Sequence, residues 1–506
     1  MSEYFIGVDS GTQGTKTVLI NGKTGKVMAS ASTSYGFIKD LPEGAREQEP
    51  KTWVSALERT IKQVVKQSGV RATQIKAIGI SGQQHGLVVL DEFDKVIRPA
   101  KLWCDTSTSS QADALVKKLG GLNKVISLTG NGIPAGFTAS KILWLKQNEP
   151  KNYQQIKSIL LPHDYLNFHL TGRAVMEAGD ASGTGLFDTK TRNWHSRIIN
   201  AIDTQLEDKL PPIQASSDPV GTVLPQIAKR LGLDPATIVS AGGGDNMMGA
   251  IGTGNTKPGM VTASLGTSGT VYAFSSRPVV DPDGEIAAFC DSTGGWLPLA
   301  CTMNVTVATE LVKKAFNLDN TKLSKAVNSV PVGSDGLIHL PYLQGERMPN
   351  LPNGSGVFFG MNTENFSQAH IARSVMEGVS LGLNYGLNRM KDLGIRPKQI
   401  RVTGGGSNNP EWRQILADVF ETEVVGLENT EGAAFGAALQ SMWCFFLQRG
   451  DRVRMTHITD DLVKIDKKSV AKPVKANIKV YRQLQDVHNH LSTACRPVFD
   501  LSKSLL

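Results

Sequence analysis

The chain uses one design twice, and that repetition limits its architecture more than any other feature. "YFIGVDSGTQGTKTVLI" at residues 4–20 and "VTASLGTSGTVYAF" at 261–274 each read as an apolar strand, a GTxGT turn and a second apolar strand. Gly11-Thr12-Gln13-Gly14-Thr15 thereby matches Gly266-Thr267-Ser268-Gly269-Thr270. A glycine triplet follows in each half, since "VSAGGGDN" at 239–246 resembles "RVTGGGSN" at 401–408. The interval from hairpin to triplet runs from residue 11 to 242 in the first half, but only from 266 to 404 in the second. Surplus chain in one copy of a duplicated scaffold is where substrate specificity is expected, because connecting segments tolerate insertion and carry function.

Composition agrees with a duplicated α/β scaffold. The 506 residues, 40% of them hydrophobic, suffice for at least two domains. Fifty-one glycines and only 6% aromatics favour tight turns around small-residue sheets over a coiled coil or a disordered polymer. The net charge of +8 is modest, and the basic run from Arg449 to Arg482 is interrupted by Asp460, Asp461 and Asp466, which predicts a solvated surface and no nucleic-acid partner. Five cysteines without a CxxC pair point to reduced thiols in a cytoplasmic setting. The N-terminal "MSEYFIGVDSG" lacks a basic signal region, and no uncharged apolar run reaches membrane-spanning length, so no membrane partner is expected. The nine histidines show no HExxH spacing; His488 and His490 are expected on an exposed terminal helix. Oligomeric state is not readable from the sequence, and a homodimer is carried only as an expectation.

A Gly-Thr turn between strands is by itself only a hairpin. Two such turns facing one another across a cleft, however, present backbone amides as anion nests and hydroxyls as further donors, which is how a polyphosphate is gripped from both sides. Asp9, just before the first turn, would then hold the accompanying Mg²⁺ through oxygen. The familiar nucleotide motifs do not fit: Gly22-Lys23-Thr24 ends like a P-loop but Thr17 stands where its first glycine belongs, and there is no GxGxxG. Asp245, directly after the triplet, has two readings that its residues leave open. Either bare glycines let the carboxylate approach a ligand, or the acid caps a helix.

"DSGTQGTK" at 9–16, the second hairpin and "GGGSNN" at 404–409 resemble the nucleotide-binding superfamily of actin, hexokinase and Hsp70. More narrowly, "GFTASKILWLKQN" at 136–148 and "GVFFGMNTENFSQAHIARSVMEG" at 356–378 are similar to the two signature regions of the FGGY carbohydrate kinases. "GISGQQHG" at 79–86, "LLPHDYLNFHLTG" at 160–172, "AGGGDN" at 241–246, "SLGTSGT" at 264–270 and "PYLQGERMP" at 341–349 resemble the members that act on D-xylulose. The matched segments span most of residues 4 to 445.

The resemblance implies an α/β fold of two ribonuclease-H-like domains around a central cleft. Residues 1–253 would carry the sugar site and first phosphate hairpin, 254–450 would bind nucleotide, and 451–506 would form a helical extension, in which the apolar positions of "IKVYRQLQDVHNHL" at 478–491 themselves suggest a helix folding back on the body. It implies ATP-dependent transfer of a phosphoryl group, with Mg²⁺, to a ketose, D-xylulose giving its 5-phosphate. Ribulose and other polyols remain competing substrates. An actin-like or Hsp70-like nucleotide switch is the alternative of a different class, disfavoured because no separate peptide-binding domain follows. By the same resemblance Asp245 is the general base on the sugar hydroxyl, Asp9 serves the metal, and Gln84, His85 and Asn246 contact the sugar. Gly11, Thr12, Thr267 and Ser268 face the phosphates, and Gly405, Gly406 and Asn409 form the adenosine turn. Gln84 stands where the family often has Met and Cys104 where it often has Asn, both near the expected sugar pocket. "TEGAAFGAAL" at 430–439 has small residues at helical spacing and predicts a helix packed closely at the domain junction.

Overall fold

Alternation decides what the first hairpin buries. In β1 (Tyr4–Ser10) and β2 (Gly14–Asn21), Ile6, Val8 and Leu19 point to one side of the sheet, and Phe5, Val18 and Ile20 to the other. The first set packs on α1 (Pro50–Ser68), which presents Trp53, Leu57, Ile61 and Val64 at helical spacing. Pro50 opens that helix and Gly69, in the left-handed region, ends it. The second set, on the side that Gly7 and Asp9 share, faces the junction between the two halves. These coordinates, a computed structural model, describe residues 2–502; residue 1 and the last four residues of the expected extension lie outside them.

The first sheet is completed by β3 (Val27–Ser34), β4 (Ile75–Gly82), β5 (Pro219–Thr222), β6 (Ile238–Ser240) and the short β7 (Gly243–Gly244). Its order is β5-β6-β4-β1-β2-β3, with β7 beside the end of β4. The second sheet contains β8 (Met260–Leu265), β9 (Gly269–Ala273), β10 (Ala287–Cys290), β11 (Trp296–Thr302), β12 (Gln399–Thr403) and β13 (Val424–Val425), in the order β10-β11-β9-β8-β12-β13. Both sheets therefore contain the same five-strand plan. An antiparallel triplet (β3-β2-β1 and β11-β9-β8) is extended by two parallel strands (β4-β6 and β12-β13). The expected pair of hairpins is its first two strands in each copy.

The glycine triplets are not equivalent in this plan, which corrects the sequence match. The first triplet follows β6, the fifth strand of its copy, whereas the second follows β12, the fourth. The structural counterpart of the second triplet is the turn Gly82-Gln83-Gln84-His85 after β4. Local likeness of glycine runs reflects a shared need for tight turns at strand ends, and only strand order identifies the partner.

The surplus of the first half lies between β4 and β5. It includes α2 (Thr138–Asn148), α3 (Pro162–Thr171) and the single turn α4 (Ala178–Ala181), and it builds a core of its own around Leu115, Val125, Ile142 and Ile199. The remaining helices used below are α5 (Asp245–Gly252), α6 (Gln368–Asp392), α7 (Pro410–Phe420) and α8 (Gly432–Gln448). Helix α8 comes from the second half of the chain yet lies on the first sheet. A Cβ at Gly7 would stand 1.9 Å from the Ala434 carbonyl oxygen. It also packs against α5, where a Cβ at Gly436 would stand 1.8 Å from the Met248 carbonyl oxygen. The small residues at 430–439 thus do serve a close junction.

Beyond residue 450, α9 (Met455–Leu462) adds Met455 and Ile458 to the junction core, and α10 (Lys475–Ser502) lies along α6 and α7. The expected helix at 478–491 is present but longer. His488 is 1% exposed, against the expectation of an exposed histidine. The docked face of α10 is largely polar: Tyr481 donates to Glu377 (2.8 Å) and Gln485 to the Leu381 carbonyl (3.2 Å). Hydropathy periodicity does not reveal such a face. All five cysteines are free, and among the described residues no helix is long and apolar enough to cross a membrane.

Replacing glycine by alanine inside an exposed helix ordinarily stabilises by about 1 kcal/mol. For Gly436→Ala the opposite sign is expected, a loss of about 1–3 kcal/mol, because backbone blocks the new methyl. Chemical denaturation of the variant against the parent chain checks it, and equal or greater stability would show that α5 and α8 are not in contact at this point.

Candidate active site

Strand register gathers the acidic residues at one end of the first sheet. Asp9 on β1 lies opposite Ser81 on β4, and Ser81 in turn opposite Gly243 on β7. The Ser81 hydroxyl donates to Asp9 Oδ1 at 3.0 Å. The triplet next to it is stripped of side chains for the protein's own packing, backbone at Gly242 and side chains at Gly243 and Gly244. Gly242 adopts a φ of +69°, and a Cβ there would meet the Ile80 carbonyl oxygen at 2.2 Å. A Cβ at Gly244 would meet Gln84 Cγ at 2.7 Å. This corrects the expectation that the glycines clear space for a ligand; they let the chain turn back beside β4 and deliver Asp245 at the first position of α5.

Asp245 is not the N-cap, which is Gly244. Its Oδ1 accepts from the Asn246 amide (2.8 Å) and side-chain Nδ2 (3.0 Å), while among the described residues no protein donor reaches Oδ2. Burial, followed by the negative charges of Asp9 and Asp180, pushes its carboxyl up to about 7. A carboxylate so placed exchanges a proton near neutrality, which suits a general base. Asp9 is likewise raised, by burial first, against the opposing effects of Ser81 and Lys16.

Gln84, His85 and Asn246 stand beside it. Asn246 Nδ2 also donates to Gln84 Oε1 at 2.9 Å, so the two amides orient one another and the carboxylate. Gln84 Nε2 is buried without a partner. His85 has a φ of +64° and its ring centroid lies 4.5 Å from that of Phe137. Burial, with Lys141 and Arg347 nearby, keeps it neutral by holding it well below the usual imidazole range. Its carbonyl is held by Lys141 Nζ (2.7 Å) and Thr138 Oγ1 (3.2 Å) from α2. Lys141, itself pushed down to about 7 by burial, also donates to the Gly136 carbonyl at 2.7 Å. The sequence reading gave Lys141 no role; it is buried in the first turn of the helix beside Thr138, Ala139 and Ser140.

The two hairpin turns share a run of free amides. In the first, the amides of Thr12 and Gln13 have no acceptor among the described residues; in the second, those of Gly266, Thr267 and Ser268 have none. Each turn therefore offers at least two adjacent free N–H groups, the minimal anion nest. The side chains differ. Thr12 Oγ1 donates to Gln83 Oε1 (3.2 Å) and accepts from Trp103 Nε1 (2.9 Å), so the expected phosphate-facing hydroxyl is already occupied, and the Gly11 amide bonds to the Gly14 carbonyl at 3.0 Å. The hydroxyls of Thr267 and Ser268 have no donor or acceptor partner among the described residues, and the turn is braced from behind by the Val305 and Thr306 amides at 3.0 Å each.

At the second triplet Gly405 faces open space and is exposed, whereas Gly406 is buried against Leu265 and Trp412. Asn409 caps α7: its Oδ1 accepts from the Trp412 amide at 3.0 Å and its Nδ2 donates to Ser324 Oγ at 3.0 Å. Its side chain thereby shapes the turn expected to receive adenosine, with one Nδ2 hydrogen and one Oδ1 lone pair left over. The two clusters meet across the junction. Thr270 Oγ1 donates to Asn246 Oδ1 at 3.4 Å, the Arg347 guanidinium lies 5.4 Å from the Trp103 ring centre, and Lys16 pairs with Glu431. Trp103 and Arg347 were not singled out from the sequence, because neither lies beside its partner in the chain.

Comparison with known proteins bears on this geometry. Residues 4–252 match the N-terminal domain, and 261–444 the C-terminal domain, of the FGGY family of carbohydrate kinases. A protein of Haemophilus influenzae named xylulose kinase is 39% identical over 495 residues, covering 96% of this chain and 99% of its own. A crystal structure titled as a "xyloylose kinase" from Brucella ovis superposes with a TM-score of 0.90 at 28% identity, covering 98% of this chain and all of the other. A gluconate kinase structure from Lactobacillus acidophilus also reaches 0.90, at 24% identity and 99% coverage of both, and so shares the fold. With both domains matched and a relative 39% identical over nearly the whole chain, the chain belongs to the FGGY family of carbohydrate kinases.

Proposed function

We propose that the chain transfers the γ-phosphoryl group of ATP to the 5-hydroxyl of D-xylulose, with Asp245 as general base. The observation that carries this reading is the open carboxylate oxygen of Asp245, Oδ2, beside Asn246, which meets the second hairpin through Thr270. Asp245 takes the hydroxyl proton, the sugar oxygen forms its bond to the γ-phosphorus, and the bond to the β-phosphate oxygen breaks to release ADP. The amides of Thr12, Gln13, Thr267 and Ser268 hold phosphate oxygens, and exposed Gly405 leaves room for the adenosine. Asp9 is the fitting ligand for Mg²⁺, since an oxygen donor with only one hydrogen-bonded oxygen stands beside a second carboxylate whose repulsion a cation would relieve. Bound there, the metal supplies charge neutralisation for the phosphates.

Curated relatives named xylulose kinase, including the Haemophilus influenzae protein, support D-xylulose as the substrate. The fold alone does not choose the sugar, as the gluconate kinase structure shows. The orphan Gln84 amide and the neutral His85 are the polar groups placed to read the sugar's hydroxyls, because a buried donor left unpaired is costly and a hydroxyl would satisfy it. A panel of D-xylulose, D-ribulose, other pentuloses and polyols with ATP and Mg²⁺, read as ADP release, tests the assignment. Preference for ribulose would replace the substrate and leave the kinase reading in place. Hydrolysis of ATP that no sugar accelerates would remove both.

Asp245→Asn is expected to lower kcat by about 10²-fold or more while ATP still binds. The same variant separates base from scaffold by its stability. A carboxyl raised from its unfolded value of 3.8 to about 7 holds, when folded, a proton that the unfolded chain releases, so stability falls as pH rises through that window. The ligand-free Asn variant escapes this loss, and thermal melts should show its advantage over the parent growing from pH 4 to pH 8.

In steady-state profiles of the parent enzyme, kcat/KM should fall about tenfold per pH unit below about pH 7, where the free enzyme's base becomes protonated. Asp9→Ala should raise the Mg²⁺ concentration needed for half-maximal rate and depress kcat, with sugar affinity little changed. Mg²⁺ titrations at saturating sugar, paired with sugar-binding calorimetry, check this; weakened sugar binding with an unaltered Mg²⁺ requirement would move Asp9 to a different role.

A further inference from the structure

The histidine placed beside the sugar is seated against a residue that has no side chain. A Cβ at Gly183 would stand 2.1 Å from His85 Cε1 and 2.3 Å from Nδ1, and the third nearest heavy atom, at 3.4 Å, is Nε2 of the same ring. Gly183 is buried in the turn after α4, and its φ is not positive, so its backbone does not by itself demand glycine. What the bare position accommodates is the imidazole.

The backbone is held on both sides of this contact. Around Gly183, the Ser182 carbonyl accepts from Asn131 Nδ2 (3.3 Å), the Ser182 hydroxyl oxygen from the Cys290 amide of β10 (3.1 Å), and the Thr184 carbonyl from the Ala139 amide of α2 (2.8 Å). The histidine is fixed from its own side, with a left-handed φ and its carbonyl held by Lys141 and Thr138. Phe137 and Phe289 stand beside the ring, with centroids 4.5 and 6.0 Å away. Carbon atoms in contact sit roughly 3.5–4 Å apart, so a methyl at 183 forces a displacement, and the part free to move is the imidazole, about its side-chain torsions.

We propose that Gly183 is a positioning residue for the sugar: by presenting no side chain it lets the His85 imidazole lie back against the insertion and leaves the space beside Gln84 and Asn246 to the ketose. The proposal rests on the reading of His85 as a group that reads the sugar's hydroxyls. Gly183 has no side chain to offer a ligand and acts through His85 alone. A larger side chain at 183 drives the ring into the sugar's place. A turn of the insertion, and not the duplicated framework, thereby sets how much of the acceptor the site admits.

The test is a double-variant cycle on the full-length chain, with Gly183→Ala, His85→Ala and both together, read as KM for D-xylulose, KM for ATP, kcat and calorimetric sugar affinity. Gly183→Ala should raise the KM for D-xylulose by about tenfold or more, the scale on which one methyl is rejected by a fitted pocket, while the KM for ATP stays within about twofold. With the imidazole gone the methyl has lost the three nearest atoms it would strike, so in the His85→Ala background it should change the sugar KM by less than about twofold. Loosened folding does not give that pattern, because it would persist without the ring and reach ATP as well. A D-xylulose KM unmoved in Gly183→Ala but raised in His85→Ala overturns the role of Gly183 and leaves His85 as a sugar contact. An equal loss from the methyl in both backgrounds overturns it too. If His85→Ala itself leaves the sugar KM and affinity in place, the reading of His85 and this proposal fall together. Should Gly183→Ala not accumulate as folded protein, the double variant against His85→Ala decides: matching melting temperatures and sugar affinities support the ring as the obstacle, and an unfolded or weaker-binding double variant rejects it.

Discussion

The two halves of this protein depend on one close approach. Helix α8 leaves the second sheet, crosses to the first, and packs with its backbone almost against β1 and against α5. Such contact needs both surfaces bare, so Gly7 on the strand and Gly436 on the helix are parts of a single requirement. Because α5 begins at Asp245 and α8 follows β13, the contact joins the fifth-strand helix of one copy to the fifth-strand helix of the other. A near-symmetric joint of this kind aims the strand ends of both sheets at a common space. That geometry sets Asn246, next to the carboxylate of the first copy, 3.4 Å from Thr270 in the hairpin of the second.

What occupies the common space is electrostatically unfavourable in the free protein. Asp9, Asp245 and Asp180 lie within one another's fields, and burial raises the first two. Opposite charge is kept at a distance: Lys141 is spent on backbone carbonyls, Arg347 lies over Trp103, and Lys16 pairs with Glu431. A site so short of cations suits a nucleotide that arrives with its own metal. It also holds Asp245 near the proton affinity that the proposed transfer to and from a sugar hydroxyl requires. The stability forgone in the ligand-free state is the counterpart of that readiness.

The insertion between β4 and β5 braces the turns at the strand ends of the shared scaffold. It supplies Trp103, Phe137 and Lys141, which hold Thr12 and His85. It acts by holding backbone and ring positions more than by lining the cleft with new polar groups. Lys141 is the clearest case, since its ammonium secures the carbonyl of a histidine held in a left-handed conformation.

The sequence by itself determined the duplicated hairpins, the α/β class, the small-residue junction helix and the position of Asp245, because each depends on neighbours within a few residues: strand alternation, a glycine turn, or helical spacing. The placing of Gln84, His85 and Asn246 near a sugar came from the family resemblance and not from their spacing, which alone gave His85 a buried structural role. Only the tertiary structure decided that the two glycine triplets end different strands, since equivalence there is a property of strand order and not of local conformation. The same holds for Thr12 and Asn409, whose side chains are hydrogen-bonded to Trp103 and Ser324, and for His488, buried on a polar face that no hydropathy pattern marks. Hydrogen bonds join groups far apart in the chain and leave no periodic trace in it, so which polar side chains are free for a ligand becomes legible only when their partners are in place.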